Sequence, residues 1–308
     1  MSLAFGVMAI VAAAPAQQLF IFQQGGAGYN GGSDTHILVN KPNNNTGGES
    51  LLEASGNGGA SDAKHALIRF ELSSLSLALK IDSAWVALFF AQTRTPLGGD
   101  KTLGIFRINR SWGEGSGDDA SGFDGQPAQT GEANWLYALA NTSAWSVAGA
   151  NGIPRDREAR AESEKTFSPA NLQTGWKEWP ITKLAQFWIA HPDSNFGFTL
   201  RETNVSAQTG IIDFASSEHP DSTLRPALFV KIGALTRTIV QGASESHTAT
   251  VITVTAQILG DDNQNAVATL AYRTTASWSA EQNMQRDGNR FIATITNLTP
   301  ATTYEVRV

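Results

Sequence analysis

The sequence predicts an all-β protein, a jelly-roll-like β-sandwich followed by a smaller immunoglobulin-like one, and three observations carry that reading. Apolar residues recur with period two in short runs, with almost no helical spacing. Gly, Asn, Ser and Thr cluster between those runs, including 29 glycines in 308 residues, and supply the turns that many strands need. Charged residues are only 16% of the chain, against roughly a quarter in an ordinary globular protein.

Taken in order, residues 1–17 read as a secretory signal, with an apolar run from Leu3 to Ala14 and the small-residue Ala14-Pro15-Ala16. The run is too short to span a membrane, and no membrane span is expected in the mature protein. Residues 18–33 follow as one short strand, "LFIFQ", and a Gly-rich tether, "GGAGYNGG". "DTHILVN", "LLEAS", "HALIRFELSSL", "IDSAWVALFFAQT" and "TLGIFRINRSW" then alternate as strands separated by Gly- and Asn-rich turns. From Asp118 to Ala170 the chain is polar and irregular, the pattern of a long excursion laid over a sheet face. "ITKLAQFWIA" is the one helical stretch, with Ile181, Leu184, Ala185 and Trp188 on one face. "GFTLRE", "GIIDFASSE" and "RPALFVKI" return as strands and end a first domain, residues 34–232. Composition shifts after Ile232, and residues 233–308 form a second module with strands in "HTATVITVTAQIL", "AVATLAYRTT", "RFIATITNL" and "TTYEVRV". Asp287-Gly288 marks a tight hairpin.

Two function classes drop out on composition. A net charge of -6 with no block of Lys or Arg lacks the electrostatic footprint of nucleic-acid binding. The chain has no cysteine, which removes disulfides, zinc thiolates and thiol catalysis together. The five histidines are not spaced as metal ligands on one element, and no serine sits in a G-x-S-x-G turn. Carboxylate pairs such as Asp213 with Glu218 have no geometric support in a sequence, so no enzyme is expected.

"DTHILVN", "ALIRFELSSL", "INRSWGEGSG", the Trp135 and Trp145 pair, "GWKEWPIT", "IDFASSE" and "RPALFV" occur here in an order that resembles the DNRLRE-domain family. That resemblance covers residues 34–232 and implies a secreted β-sandwich; some members of that family are carbohydrate-binding modules. Pro180 and Glu71 stand where the family commonly has aspartate, so only the fold and the broad class carry over. "LTPATTYEVRV" is similar to the corner and following strand of a fibronectin type III domain, with Tyr304 as the tyrosine whose hydroxyl caps nearby backbone. Such a domain continues with one more strand, which residues 233–308 lack.

That missing strand shapes the functional expectation. Leu19, Phe20, Ile21 and Phe22 are apolar, β-prone and tethered, and so are suited to complete a neighbouring copy beside Tyr304, Val306 and Val308. Such a head-to-tail contact repeats into an open filament. The expected function is therefore a non-enzymatic secreted or cell-surface structural protein, a filament or surface-layer subunit assembled by donor-strand exchange. The alternative is a carbohydrate-binding, adhesive module of a larger extracellular protein. For that reading Trp112, Trp135 and Trp145, in or beside the irregular segment, are the expected polysaccharide contacts. Asp118, Asp119 and Asp124 share one Gly-rich loop and are the expected ligands of a structural calcium ion, with Asp261, Asn263 and Asn265 a weaker imitation of a calcium loop.

Overall fold

The computed structural model describes residues 18–75, 81–120, 123–203, 208–232, 239–248, 250–259, 267–274, 277–288 and 290–308. The signal-like segment 1–17 and the loop at 261–265 lie outside them. The chain divides between Ile232 and Gly233 into two compact units, and both are built from antiparallel strands. No helix among the described residues is long and apolar enough to cross a membrane.

In the first unit the strands are β1 (Gln18–Gln23), β2 (Gly32–Leu38), β3 (Asn44–Asn45), β4 (Leu51–Glu53), β5 (Lys64–Phe70), β6 (Ile81–Thr93) and β7 (Lys101–Arg107). The excursion adds β8 (Gln126–Pro127), β9 (Tyr137–Leu139), β10 (Ser143–Ala144) and β11 (Ser163–Phe167). Then come β12 (Gly175–Pro180), helix α1 (Thr182–Ala190), β13 (Phe198–Glu202), β14 (Ile212–Ala215) and β15 (Ala227–Ile232). One sheet holds β1, β15, β6, β14 and β4 with β12 also on β6, and the other runs β11-β7-β13-β5-β2.

The register shows how β6 organises the first sheet. Phe90 pairs with both Phe214 and Gly175, and Ala87 pairs with both Ala227 and Glu178. A strand residue has one neighbour on each side, so β12 occupies one edge of β6 while β14 and β15 line the other end to end. Between the sheets lies one core, with Val86, Leu88 and Phe90 of β6 meeting Phe198, Phe214, Leu228, Val230 and Trp179. Helix α1 buries Leu184, Ala185, Trp188 and Ile189. It is tied to the start of β6 by Ile81 N–H donating to Gln186 Oε1 at 2.8 Å and Ala84 N–H to Thr182 Oγ1 at 3.0 Å.

The strand expected within residues 18–33 is present as β1, but the Gly-rich stretch after it is not a loose tether. Strand β1 pairs with β15 of its own sheet over six residues, Gln18↔Ile232 through Gln23↔Ala227. The reason is apolar: Phe22 is buried in the core, Phe20 packs against it, and Tyr29 sets its ring edge-on to Phe22 at 5.4 Å. The Gly-rich stretch folds back as a tight turn, closed by Gly25 N–H to Tyr29 O at 2.8 Å, with Gly25 at φ 80°, a conformation glycine adopts without penalty. Gly32 and Ser33 belong to β2.

The excursion covers the outer face of the second sheet. Alternation in β5 sends Ala66, Ile68 and Phe70 into the main core, and Leu67 emerges on the other side. There Leu67 and Ile37 meet Trp112, Ala133, Trp135, Ala138, Trp145 and Ala150 in a second apolar cluster.

The second unit contains β16 (Ile239–His247), β17 (Ile252–Leu259), β18 (Thr269–Arg273), β19 (Gln282–Asn283), β20 (Gln285–Asp287), β21 (Arg290–Ile295) and β22 (Glu305–Arg307). One sheet is ordered β16-β17-β21-β20 and the other β19-β18-β22. Ile252, Val254, Leu270, Phe291, Ile295, Tyr304 and Val306 share its core. Tyr304 Oη accepts a hydrogen bond from Thr299 N–H at 2.9 Å, the corner contact its position predicts. Among the described residues β22 has a neighbour, β18, on one side only; Val308 follows the strand and is exposed.

Candidate functional site

Alternation in β6 leaves Trp85, Ala87 and Phe89 on the face of the first sheet opposite the core. The register extends that face across four strands, Ile21↔Phe229, Phe229↔Trp85 and Trp85↔Pro180. Phe89 pairs with Trp176 of β12. Trp85 and Phe229 stack with ring centroids 5.0 Å apart and planes 2° from parallel, and Phe89 meets Trp176 edge-on at 5.6 Å. Between these aromatic pairs Ala87 and Ala227 face each other as a floor. Trp85 and Phe89, four residues apart on one strand, stand about 13 Å from each other, with Glu178 beside the floor on β12. Ile21 is 50% and Trp176 41% exposed, and Glu178, Ser83 and Lys231 give this face a polar rim. Aromatic pairs on either side of a shallow floor, rimmed by polar groups, offer apolar contacts of the kind a pyranose ring can take.

Trp112, Trp135 and Trp145 are not exposed contacts, and the expectation for them is corrected. All three are buried, and two of their indole N–H groups are spent inside the fold. Trp112 donates to Phe196 O at 2.8 Å and Trp145 to Asn134 O at 2.9 Å, while Trp135 packs on His65 at 4.9 Å. They hold the excursion onto the second sheet. Trp176 is exposed instead, and Trp85 is part-buried on the same outer face. The signal was present: Trp176 and Trp179 are three apart on one strand, so only one can face inward, and Trp179 does.

The assembly residues lie as follows. Leu19 and Ile21 of β1 are exposed on the aromatic face, while Phe22 is buried within its own sandwich. Tyr304 and Val306 are buried in the second unit and Val308 is exposed.

The loop expected to bind calcium is closed mainly by backbone amides. Asp119 accepts from Phe123 and Asp124 N–H, both at 3.0 Å, and Asp118 from Ala120 N–H at 2.7 Å. Glu49 accepts from Asp119 N–H at 3.0 Å and Gly125 N–H at 3.2 Å. Asp118 and Asp119 do converge with Glu49, their oxygens within 4.8 Å of one another. Asp124 is not in that group; it turns to Lys41 at 3.2 Å.

Next to this loop lies a buried charged network. Arg94 reaches Glu53 at 2.7 Å and Asp213 at 3.3 Å, with its guanidinium 4.1 Å from the Phe123 ring. His36 Nε2 lies 3.0 Å from Phe123 O and 3.7 Å from Glu53. Burial pushes the His36 imidazole down to about 3, so it is neutral near pH 7 and holds the loop as a hydrogen-bond donor. Glu218, the other half of the carboxylate pair considered from sequence, lies instead with Asp34 and Glu114.

No family model matches the chain, and no curated protein matches it. Among solved structures a putative beta-galactosidase from Bacteroides fragilis is similar at a TM-score of 0.19 and 9% identity, over 95% of this chain and 38% of that one. The chain thus spans well under half of that structure's length, and a likeness at this score carries neither fold nor function across.

Proposed function

We propose that the protein is a non-enzymatic extracellular module that binds polysaccharide through the outer face of its first sheet. One observation carries the reading: the outer face of the second sheet is covered by the excursion, while among the described residues that of the first leaves Trp176 exposed and Trp85, Phe89 and Phe229 partly open. An aromatic face left partly open in this way is a cost to solubility that a binding role explains. The test is retention of the purified chain on a panel of insoluble polysaccharides, beside a Trp85→Ala/Trp176→Ala double variant. The reading expects retention on at least one and its loss in the variant; retention on none, or retention that the variant keeps, overturns it.

A second reading, a filament or surface-layer subunit, is favoured by β1 and β22, each with a strand neighbour on one side only among the described residues, since an uncovered edge templates another strand. Donor-strand exchange in this fold requires β1 to leave β15. Negative-stain imaging of the chain and of a version lacking residues 19–23 distinguishes the two: filaments that vanish with the deletion favour assembly, monomers in both samples exclude it.

A further inference from the structure

Three carboxylates from distant segments converge where the two sheets meet the loop after β7. Asp34 comes from β2, Glu114 from that loop and Glu218 from the turn after β14, and one oxygen of each lies within 4.8 Å of the others. Local hydrogen bonds fix the cluster. Asp34 N–H donates to Glu114 Oε1 at 2.7 Å, Ser217 N–H to Asp34 Oδ2 at 2.7 Å, and Ser217 Oγ to Glu218 Oε2 at 2.8 Å.

Two further facts set this cluster apart from an ordinary acidic patch. Asp34 is 2% exposed, and its buried Oδ1 has no hydrogen-bond partner among the described residues. A buried carboxylate oxygen left so is costly unless something meets it. The second fact is that no countercharge is in contact, Arg69 and Arg225 acting on Glu114 and Glu218 only from a distance. Elsewhere Glu53, Asp213, Glu202 and Asp156 each have an Arg or Lys within 4.0 Å. Among the described residues Asp34, Glu114 and Glu218 have no such partner. The nearby cations are engaged: Arg225 donates to His219 O and Gln24 O, and Arg69 lies over the Trp112 ring.

We infer that Asp34, Glu114 and Glu218 bind a calcium ion that ties the two sheets together. The donor set is oxygen alone, which selects a hard cation over zinc or copper. Three carboxylates on separate segments, with Ser217 Oγ beside them, suit the high and flexible coordination of calcium better than the rigid octahedron of magnesium. Glu218 is exposed and leaves the ion a path from solvent. The inference is independent of the glycan reading.

The test is calorimetric titration of calcium chloride into the full chain after EDTA treatment, with thermal melting in parallel. The variants are Glu114→Gln/Glu218→Gln and, for the neighbouring acidic loop, Asp118→Asn/Asp119→Asn. Glutamine keeps the acceptor for Asp34 N–H and removes charge, so the first variant is expected to fold, as circular dichroism will show. One ion per chain is expected, with Kd of about 10⁻³ M or tighter. Melting should rise by roughly 5–10 °C at a hundredfold excess over Kd. In the Glu114→Gln/Glu218→Gln variant affinity should fall at least tenfold, with the loop variant like wild type. No binding up to about 10 mM, binding lost only in the loop variant, or magnesium bound as tightly as calcium overturns the inference.

Discussion

Trp85 and Phe229 sit on neighbouring strands with their rings 5.0 Å apart and 2° from parallel, and the partly exposed faces of this pair extend the row from Ile21 to Pro180. Replacing Trp176, 41% exposed on the same face, should therefore cost less than about 1 kcal/mol of stability. Loss of one stacking ring should weaken polysaccharide retention by about tenfold. Binding isotherms on whichever polysaccharide retains the wild type check this, and a Trp176→Ala isotherm that overlays the wild type would reject the surface.

The opposite pattern is expected for Trp145. It is buried under the excursion with its indole N–H bonded to Asn134 O at 2.9 Å. Trp145→Ala should lose about 3–5 kcal/mol in urea unfolding, and the folded protein should bind polysaccharide as before.

His36 makes acid a destabiliser. Its folded pKa, about 3, lies below the unfolded value, so between about pH 6.5 and 3 the unfolded chain binds a proton that the folded chain refuses. Its contribution to stability is complete above pH 6.5 and declines as pH falls through that window, with a slope approaching 1.4 kcal/mol per pH unit. Glu53 acts in the opposite sense: burial raises its carboxyl to about 8 against the pull of Arg94, so its contribution is lost as pH rises toward that value. Urea midpoints of the wild type and His36→Gln across pH 4–8 separate the two, because only the histidine slope disappears in the variant.

In the second unit, Tyr304→Phe removes the acceptor for Thr299 N–H and leaves the ring in place. A loss of about 1 kcal/mol is expected, seen as a lower melting transition for that unit while the first is unchanged.

What was legible from sequence is what short-range pattern encodes. Alternation in "IDSAWVALFF" marks β6 and places Val86, Leu88 and Phe90 on one face. The spacing of Leu184, Ala185 and Trp188 marks α1, and the position of Tyr304 anticipates its hydrogen bond. Partners distant along the chain were not legible. "LFIFQ" reads equally well as a strand for another copy or for β15, because alternation specifies faces and not neighbours. Counting tryptophans placed exposure in the irregular segment, whereas the apolar outer face of β5 drew Trp112, Trp135 and Trp145 under cover. Asp34, Glu114 and Glu218 are brought together by the fold from three separate segments, and no local motif joins them.

The pairing of β1 with β15 has a consequence for biosynthesis. Gln23 meets Ala227 and Gln18 meets Ile232, so β1 leaves the ribosome about 200 residues before the strand it pairs with. At about 5–20 residues per second the wait is on the order of 10–40 s. Throughout it Phe20 and Phe22 lack the core that covers them, on a segment prone to join other strands. A nascent chain halted ahead of Ala227 is then a seed for aggregation, and the sandwich depends on β1 being shielded until translation has passed Ile232.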